Sequence, residues 1–238
     1  MRNGLFILLF AVPVMGLHAQ LPSGSLLISI QHYLDEKVLT LDSTLATNGL
    51  GQTYRVSKLK YYLSNFRLVN AAGASEGRDN AYLVDEDQPE SKHISLIGLK
   101  SGSYRFLEFI IGVDSLHNCS GAQSGMLDPV QGMFWAWNSG YIFLKLEGHS
   151  PASTAPGHFF EYHIGGYAAP TNSIRKISLP VELLIDTAKQ ARLTLRLNIQ
   201  EILDHPNRID FGSLPSVTDT KHAALVADNY ADAFSIRE

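Results

Sequence analysis

Leu26, Ile28, Ile30 and His32 alternate with Leu27, Ser29, Gln31 and Tyr33. A period of two marks a strand, because successive side chains point to opposite faces. The pattern recurs near the other end, where Leu193, Leu195, Leu197 and Ile199 interleave with Arg192, Thr194, Arg196 and Asn198, giving one greasy face and one wet face. Further β-type runs lie at 59–68, 82–84, 93–97, 104–113, 133–137, 141–147, 159–164 and 174–185. Turn formers punctuate the intervals, as in Asn70-Ala71-Ala72-Gly73, Asp128-Pro129 and Asn138-Ser139-Gly140. Many strands at close spacing indicate a sandwich or barrel. The expectation carried forward is an all-β chain: an antiparallel β-sandwich with a short C-terminal helix. That helix falls within 220–234, where Ala223, Ala224, Val226, Ala227, Tyr230 and Phe234 are available for docking. With no internal repeat, low-complexity tract or linker, residues 20–238 read as one domain.

The N-terminus changes the cellular picture. Arg2 precedes an almost unbroken apolar run from Leu5 to Val14, and Gly16-Leu17-His18-Ala19-Gln20 closes it. This is the layout of a secretory signal peptide over residues 1–19, too short to span a bilayer. The absence of a Cys after the run argues against a lipoprotein. The expected location is periplasmic, cell-surface or secreted, with no membrane span in the mature form. The net charge of −4 gives no reason to expect nucleic acid or anionic lipid as a partner. Cys119 is the only cysteine, so no intrachain disulfide forms and the fold rests on its core.

Three stretches carry candidate chemistry. Residues 112–123 place Asp114, His117, Asn118 and Cys119 in a polar loop after an apolar strand, a common setting for sites and also for ordinary turns. Residues 132–141 contain Trp135 and Trp137, two apart and therefore on one face of a strand. They read as core anchors, as a sugar-stacking platform or as modified side chains. Residues 157–166 contain His158 and His163 followed by Gly165-Gly166, and paired glycines suit close approach of backbone or ligand. His32 ends an inward stripe, where a lone histidine is usually a hydrogen-bonded core residue. Neutral imidazole suits copper and zinc, yet no fixed short zinc-binding spacing is present.

These segments resemble the MbnP-like family of exported copper-binding proteins, particularly its Bacteroidetes-type members. The resemblance runs from Ser29-Ile30-Gln31-His32 through 56–65, Gly112-Val113-Asp114-Ser115, Ser120-Gly121-Ala122-Gln123 and 132–141. It continues through Tyr162-His163-Ile164-Gly165-Gly166 and ends at 227–234. It implies a β-rich exported protein that binds a copper ion, Cu(I) or Cu(II). The ligand role carries over to His32 and His163, with His117 and Asp114 as a third ligand or a group that orients one. In some relatives a tryptophan is oxidised to kynurenine by a di-haem peroxidase-like partner, which points to Trp135 or Trp137. This chain lacks the Trp-x-His spacing associated with some of those sites. An outer-membrane copper-uptake protein is the other implied partner. The leading expectation is copper capture or delivery without chemical turnover. The alternatives are a hydrolase using Asp114, Glu108, Glu147 or Glu161, a carbohydrate- or partner-binding sandwich using Trp135 and Trp137, and a purely structural exported domain.

Overall fold

The structure is a computed structural model that describes residues 23–135 and 140–237. The leader and Trp137 lie outside the described residues. The strands are, in chain order, β1 (Gly24–Leu34), β2 (Lys37–Val38), β3 (Ala46–Thr47), β4 (Thr53–Val69), β5 (Ser75–Asp85), β6 (His93–Leu99) and β7 (Gly102–Ile111). They continue as β8 (Phe134–Trp135), β9 (Gly140–His149), β10 (Phe159–Gly165), β11 (Arg175–Ile185), β12 (Ala191–Asn198), β13 (Ser216–Val217) and β14 (Phe234–Arg237). The helices are α1 (Ser115–Cys119), α2 (Ile199–Asp204) and α3 (Thr220–Tyr230). Among the described residues, no helix is long and apolar enough to cross a membrane.

Two sheets face one another. The smaller has the order β14-β12-β1-β2, with β6 also on β1. The larger has the order β11-β7-β4-β9-β10-β13, with β3 and β5 on β4 and β8 on β9. The alternation read at both chain ends explains the main core. Leu26, Ile28 and Ile30 of β1 and Leu195 and Leu197 of β12 are buried in one apolar cluster with Leu59, Tyr61 and Leu63 of β4 and Tyr162 and Ile164 of β10. Each such side chain contributes about 1.5–3 kcal/mol of burial. The expected sandwich is therefore present, though mixed: β1 pairs with β12 in parallel register, as does β10 with β13.

A second, smaller core lies on the outer face of the larger sheet. Tyr61 belongs to the main core, whereas its neighbour Tyr62 clusters with Val113, Met133, Trp135, Tyr141 and Phe143. The segment from Gly112 to Trp135 covers this face. It is pinned there by the Tyr62 hydroxyl donating to the Met126 carbonyl at 2.8 Å and the Tyr141 hydroxyl donating to the Leu127 carbonyl at 2.8 Å. These bonds satisfy phenols that burial would otherwise make costly.

The expected C-terminal helix is α3. Its N-terminus is capped by the Asp219 carboxylate, which accepts from the Lys221 and His222 amides. Ala223, Val226, Ala227 and Tyr230 are its buried apolar side chains. Ile199 departs from the expected strand and begins α2. The Asn198 side chain accepts from the Gln200 amide, and this cap turns the chain so that Ile199, Ile202 and Leu203 are buried from a helix instead.

Candidate metal centre

His163 is on β10, whose inward residues Phe160, Tyr162 and Ile164 join the main core. Alternation therefore puts His163 on the outer face of the larger sheet. Its cross-strand partner on β9 is Lys145, and Glu147 is paired with Glu161. The diagonal brings the imidazole to a carboxylate: His163 Nε2 lies 2.8 Å from Glu147 Oε1. Lys58 holds the other carboxylate oxygen at 3.5 Å. The His163 hydrogen bond is the largest cause holding the Glu147 carboxyl below its usual range, the Lys58 charge adds to it, and burial opposes it. A carboxylate only accepts, so in the neutral ring Nε2 carries the proton and Nδ1 keeps its lone pair. Nδ1 has no hydrogen-bond partner among the described residues. This is the carboxylate–histidine arrangement that orients a metal ligand.

Trp135 lies over Gly165, farther along the same strand. Trp135 pairs with Gly140 across β8 and β9, and the Lys145 ammonium donates to the Gly132 carbonyl at 2.7 Å. The strand partner of His163 thus anchors the segment that carries Trp135. The far edge of the indole covers Gly165, two residues from His163, about 7 Å along the strand. A Cβ at position 165 would lie 2.7 Å from Trp135 Cζ3 and 2.6 Å from the Tyr141 carbonyl oxygen. Gly165→Ala should displace the indole and cost about 1–3 kcal/mol by overpacking. Chemical denaturation read by Trp fluorescence checks this, and an unchanged midpoint and spectrum would contradict the packing. Trp135 is only 7% exposed, so it serves as a core anchor and offers no open stacking surface.

His32 has a different environment. Its stripe faces the main core, so it lies on the inner side of the larger sheet, opposite to His163. The residue is 3% exposed. Nδ1 is hydrogen-bonded to the Glu86 carboxylate, and Nε2 lies 2.7 Å from the Tyr61 hydroxyl. Glu86 also accepts from the Lys92 ammonium at 3.0 Å. Burial lowers the His32 pKa, outweighing the opposing effect of Glu86, so the ring is neutral near pH 7. Nδ1–H then donates to Glu86, and the Tyr61 O–H donates to Nε2. Both nitrogens are engaged, which is the arrangement of a satisfied core histidine.

This network has a pH signature. An imidazole whose folded pKa is lowered stabilises the fold fully above the unfolded value of about 6.5, and that contribution is lost as pH falls below it. Burial raises the Glu86 pKa, but the hydrogen bonds and charges of His32 and Lys92 bring it below 4.5, so its contribution falls with further acidification. Denaturation midpoints should be nearly level above about pH 7 and decline as pH falls from about 6.5 to 5. A flat profile over that range would contradict the burial of a neutral His32.

Asp114 and His117 form a local pair. Asp114 Oδ1 accepts from the His117 amide at 3.0 Å, and Oδ2 lies 2.7 Å from His117 Nδ1. Burial raises the Asp114 pKa, but these bonds and the His117 charge outweigh it and hold the carboxyl below its usual range. The pair opens α1. The next residue, Asn118, accepts from the Tyr141 amide at 3.1 Å, so α1 lies over the same outer face as Trp135. The structure therefore places His163, Trp135, Asp114 and His117 on the outer side of the larger sheet and His32 on the inner side. Among the described residues, no three or more His, Cys, Asp or Glu side chains converge as a metal-holding group. The remaining acidic candidates have polar neighbours, Glu108 with Lys176 at 2.7 Å and Glu161 with Ser216 at 3.2 Å. Glu147 was legible only as a strand carboxylate. Its role as the partner of His163 depends on the register across β9 and β10, which no local pattern encodes.

Comparison with known proteins adds the family-level finding. A family model described as MbnP matches residues 23–221. Among solved structures, MbnP from Methylosinus trichosporium is similar, with a TM-score of 0.58 and 15% identity, over 90% of this chain and 98% of that chain. Likeness at that identity speaks to the fold alone. No curated protein matches by sequence.

Proposed function

The chain belongs to the MbnP family, and from that premise we propose that it is an exported protein that binds copper for capture or delivery and catalyses no reaction itself. His163 is the ligand, presented through Nδ1 and oriented by Glu147, with Trp135 as the adjoining wall. One observation carries this reading: a histidine with one nitrogen fixed on a carboxylate and the other open, two residues along the strand from a glycine that a tryptophan covers. Copper is cargo here, and neutral imidazole is a suitable donor for it. Asp114 and His117, on the same face, are the group from the sequence set that would supplement the site. A di-haem peroxidase-like enzyme acting on Trp135 and an outer-membrane uptake protein receiving the metal complete the proposal, in the periplasm or at the cell surface.

The test is purification of the mature protein from its native secretory route, with elemental analysis and intact mass measured together. Bound copper in the wild-type chain, reduced by His163→Ala, supports the reading. A mass gain confined to the peptide containing Trp135 supports its oxidation. A metal-free chain that also fails to take up Cu(I) and Cu(II) would leave the partner-binding alternative in its place.

A further inference from the structure

The opposite end of β9 holds two more histidines. His149 closes β9 and His158 directly precedes β10, so they flank the connecting loop. Nine residue steps separate Gly140 from His149, about 30 Å of strand, which sets this end apart from Trp135. His149 pairs with Phe159, and the Ser150 amide donates to the His158 carbonyl at 2.9 Å. Cross-strand partners share a face, so a regular backbone would turn His158 away from His149. His158 instead has φ of 56°, the left-handed region that side-chain-bearing residues seldom occupy. Both residues then line one cavity of about 180 Å³, together with Thr53, Arg55 and Pro151.

The ring nitrogens are set in the same sense. His149 Nδ1 lies 3.3 Å from the Gly157 carbonyl oxygen, and His158 Nδ1 lies 3.0 Å from the Ser153 carbonyl oxygen. A carbonyl only accepts, so each neutral ring carries its proton on Nδ1 and leaves the Nε2 lone pair available. Neither Nε2 has a hydrogen-bond partner among the described residues. A backbone carbonyl holding one imidazole N–H is the usual support of a metal-bound histidine, and here it occurs twice around one cavity.

We propose that His149 and His158 form a Cu(I) site distinct from the His163 region, each coordinating through Nε2. Arg55 lines the same cavity with an exposed guanidinium, which disfavours a cation of either charge and a divalent one more. A nearby positive charge repels a divalent ion about twice as strongly as a monovalent one. Two neutral nitrogen donors also fall short of the four that Zn(II) takes in protein sites. This inference does not depend on the function assigned to His163.

The experiment is anaerobic Cu(I) titration of the full mature chain against a chromophoric chelator. Wild type is compared with a His149→Gln/His158→Asn double variant and with His163→Ala. Asn tolerates the left-handed backbone at 158, so the double variant should melt as wild type does. The expected result is one fewer bound Cu(I) in the double variant, with that ion retained in His163→Ala. Nitrogen-resolved NMR of the metal-free wild type should show both Nε2 atoms unprotonated and both shifting on Cu(I) addition. A double variant with wild-type stoichiometry and affinity would overturn the proposal. So would a proton on Nε2 of either ring, or a preference for Zn(II) over Cu(I).

Discussion

His163→Ala is expected to remove copper binding at the Trp135 region while leaving the fold nearly intact. The side chain is on the outer face, and its loss leaves Glu147 paired with Lys58 at 3.5 Å, so no buried charge is stranded. The stability cost should stay near 1 kcal/mol, the usual net worth of one hydrogen bond. The copper effect should be much larger, because the nitrogen lost is the donor itself. Glu147→Ala separates coordination from orientation. It leaves Nδ1 in place but frees the ring, and loss of such an orienting partner typically weakens metal binding about 10–100-fold. Chelator competition on both variants, beside thermal melts, measures the two effects. Equal copper affinity in wild type and His163→Ala would remove His163 from the site.

His32→Ala should give the reverse profile: a large loss of stability with copper affinity at the Trp135 region unchanged. The ring is buried against Tyr61, with centroids 5.6 Å apart in an edge-on arrangement. Truncation opens a cavity, takes the acceptor from the Tyr61 hydroxyl and takes one donor from Glu86. Glu86 retains Lys92 at 3.0 Å, which limits the electrostatic part. Cavity and lost hydrogen bonds together amount to about 3–5 kcal/mol, or a melting temperature lower by roughly 10 °C for a chain of this size. Denaturant melts give the stability and chelator competition gives the affinity. A small stability change accompanied by lost copper would show that His32 is a ligand and that its two hydrogen bonds are secondary.

Much of the fold was legible in the residues because it is written in local periods. The alternation at Leu26–Ile30 and at Leu193–Leu197 specifies the strands that line the main core, and Ala223, Val226, Ala227 and Tyr230 mark the docking face of α3. Where local signals compete, the reading fails by a few residues. Ile199 continues the strand period, but the Asn198 cap and the burial of Ile202 and Leu203 draw it into α2. The parallel register of β1 with β12 joins residues far apart in the chain, and no periodicity records which strands become neighbours.

The site was legible in its residue types and less so in its grouping. His163 and Trp135 stood out, and the fold brings them to one face through Gly165 and Lys145. His32 stood out for the same reason, as a histidine inside a recognisable segment, yet its stripe faces the other side of the sheet. The deciding groups are Glu86 and Glu147, which lie 54 and 16 residues from the histidines they hold. These long-range contacts determine that one imidazole has both nitrogens engaged and the other has one open. Similarly, His158 reaches the cavity of His149 through a left-handed backbone, which strand alternation would not anticipate.

The most direct test of the central claim is Cu(I) affinity measured by chelator competition on wild type, His163→Ala and His32→Ala in parallel, each shown to be folded at the temperature used. The account predicts a large loss at the Trp135 region in His163→Ala and wild-type affinity there in His32→Ala. Loss in His32→Ala with retention in His163→Ala would contradict it and place the copper on the inner side of the sheet.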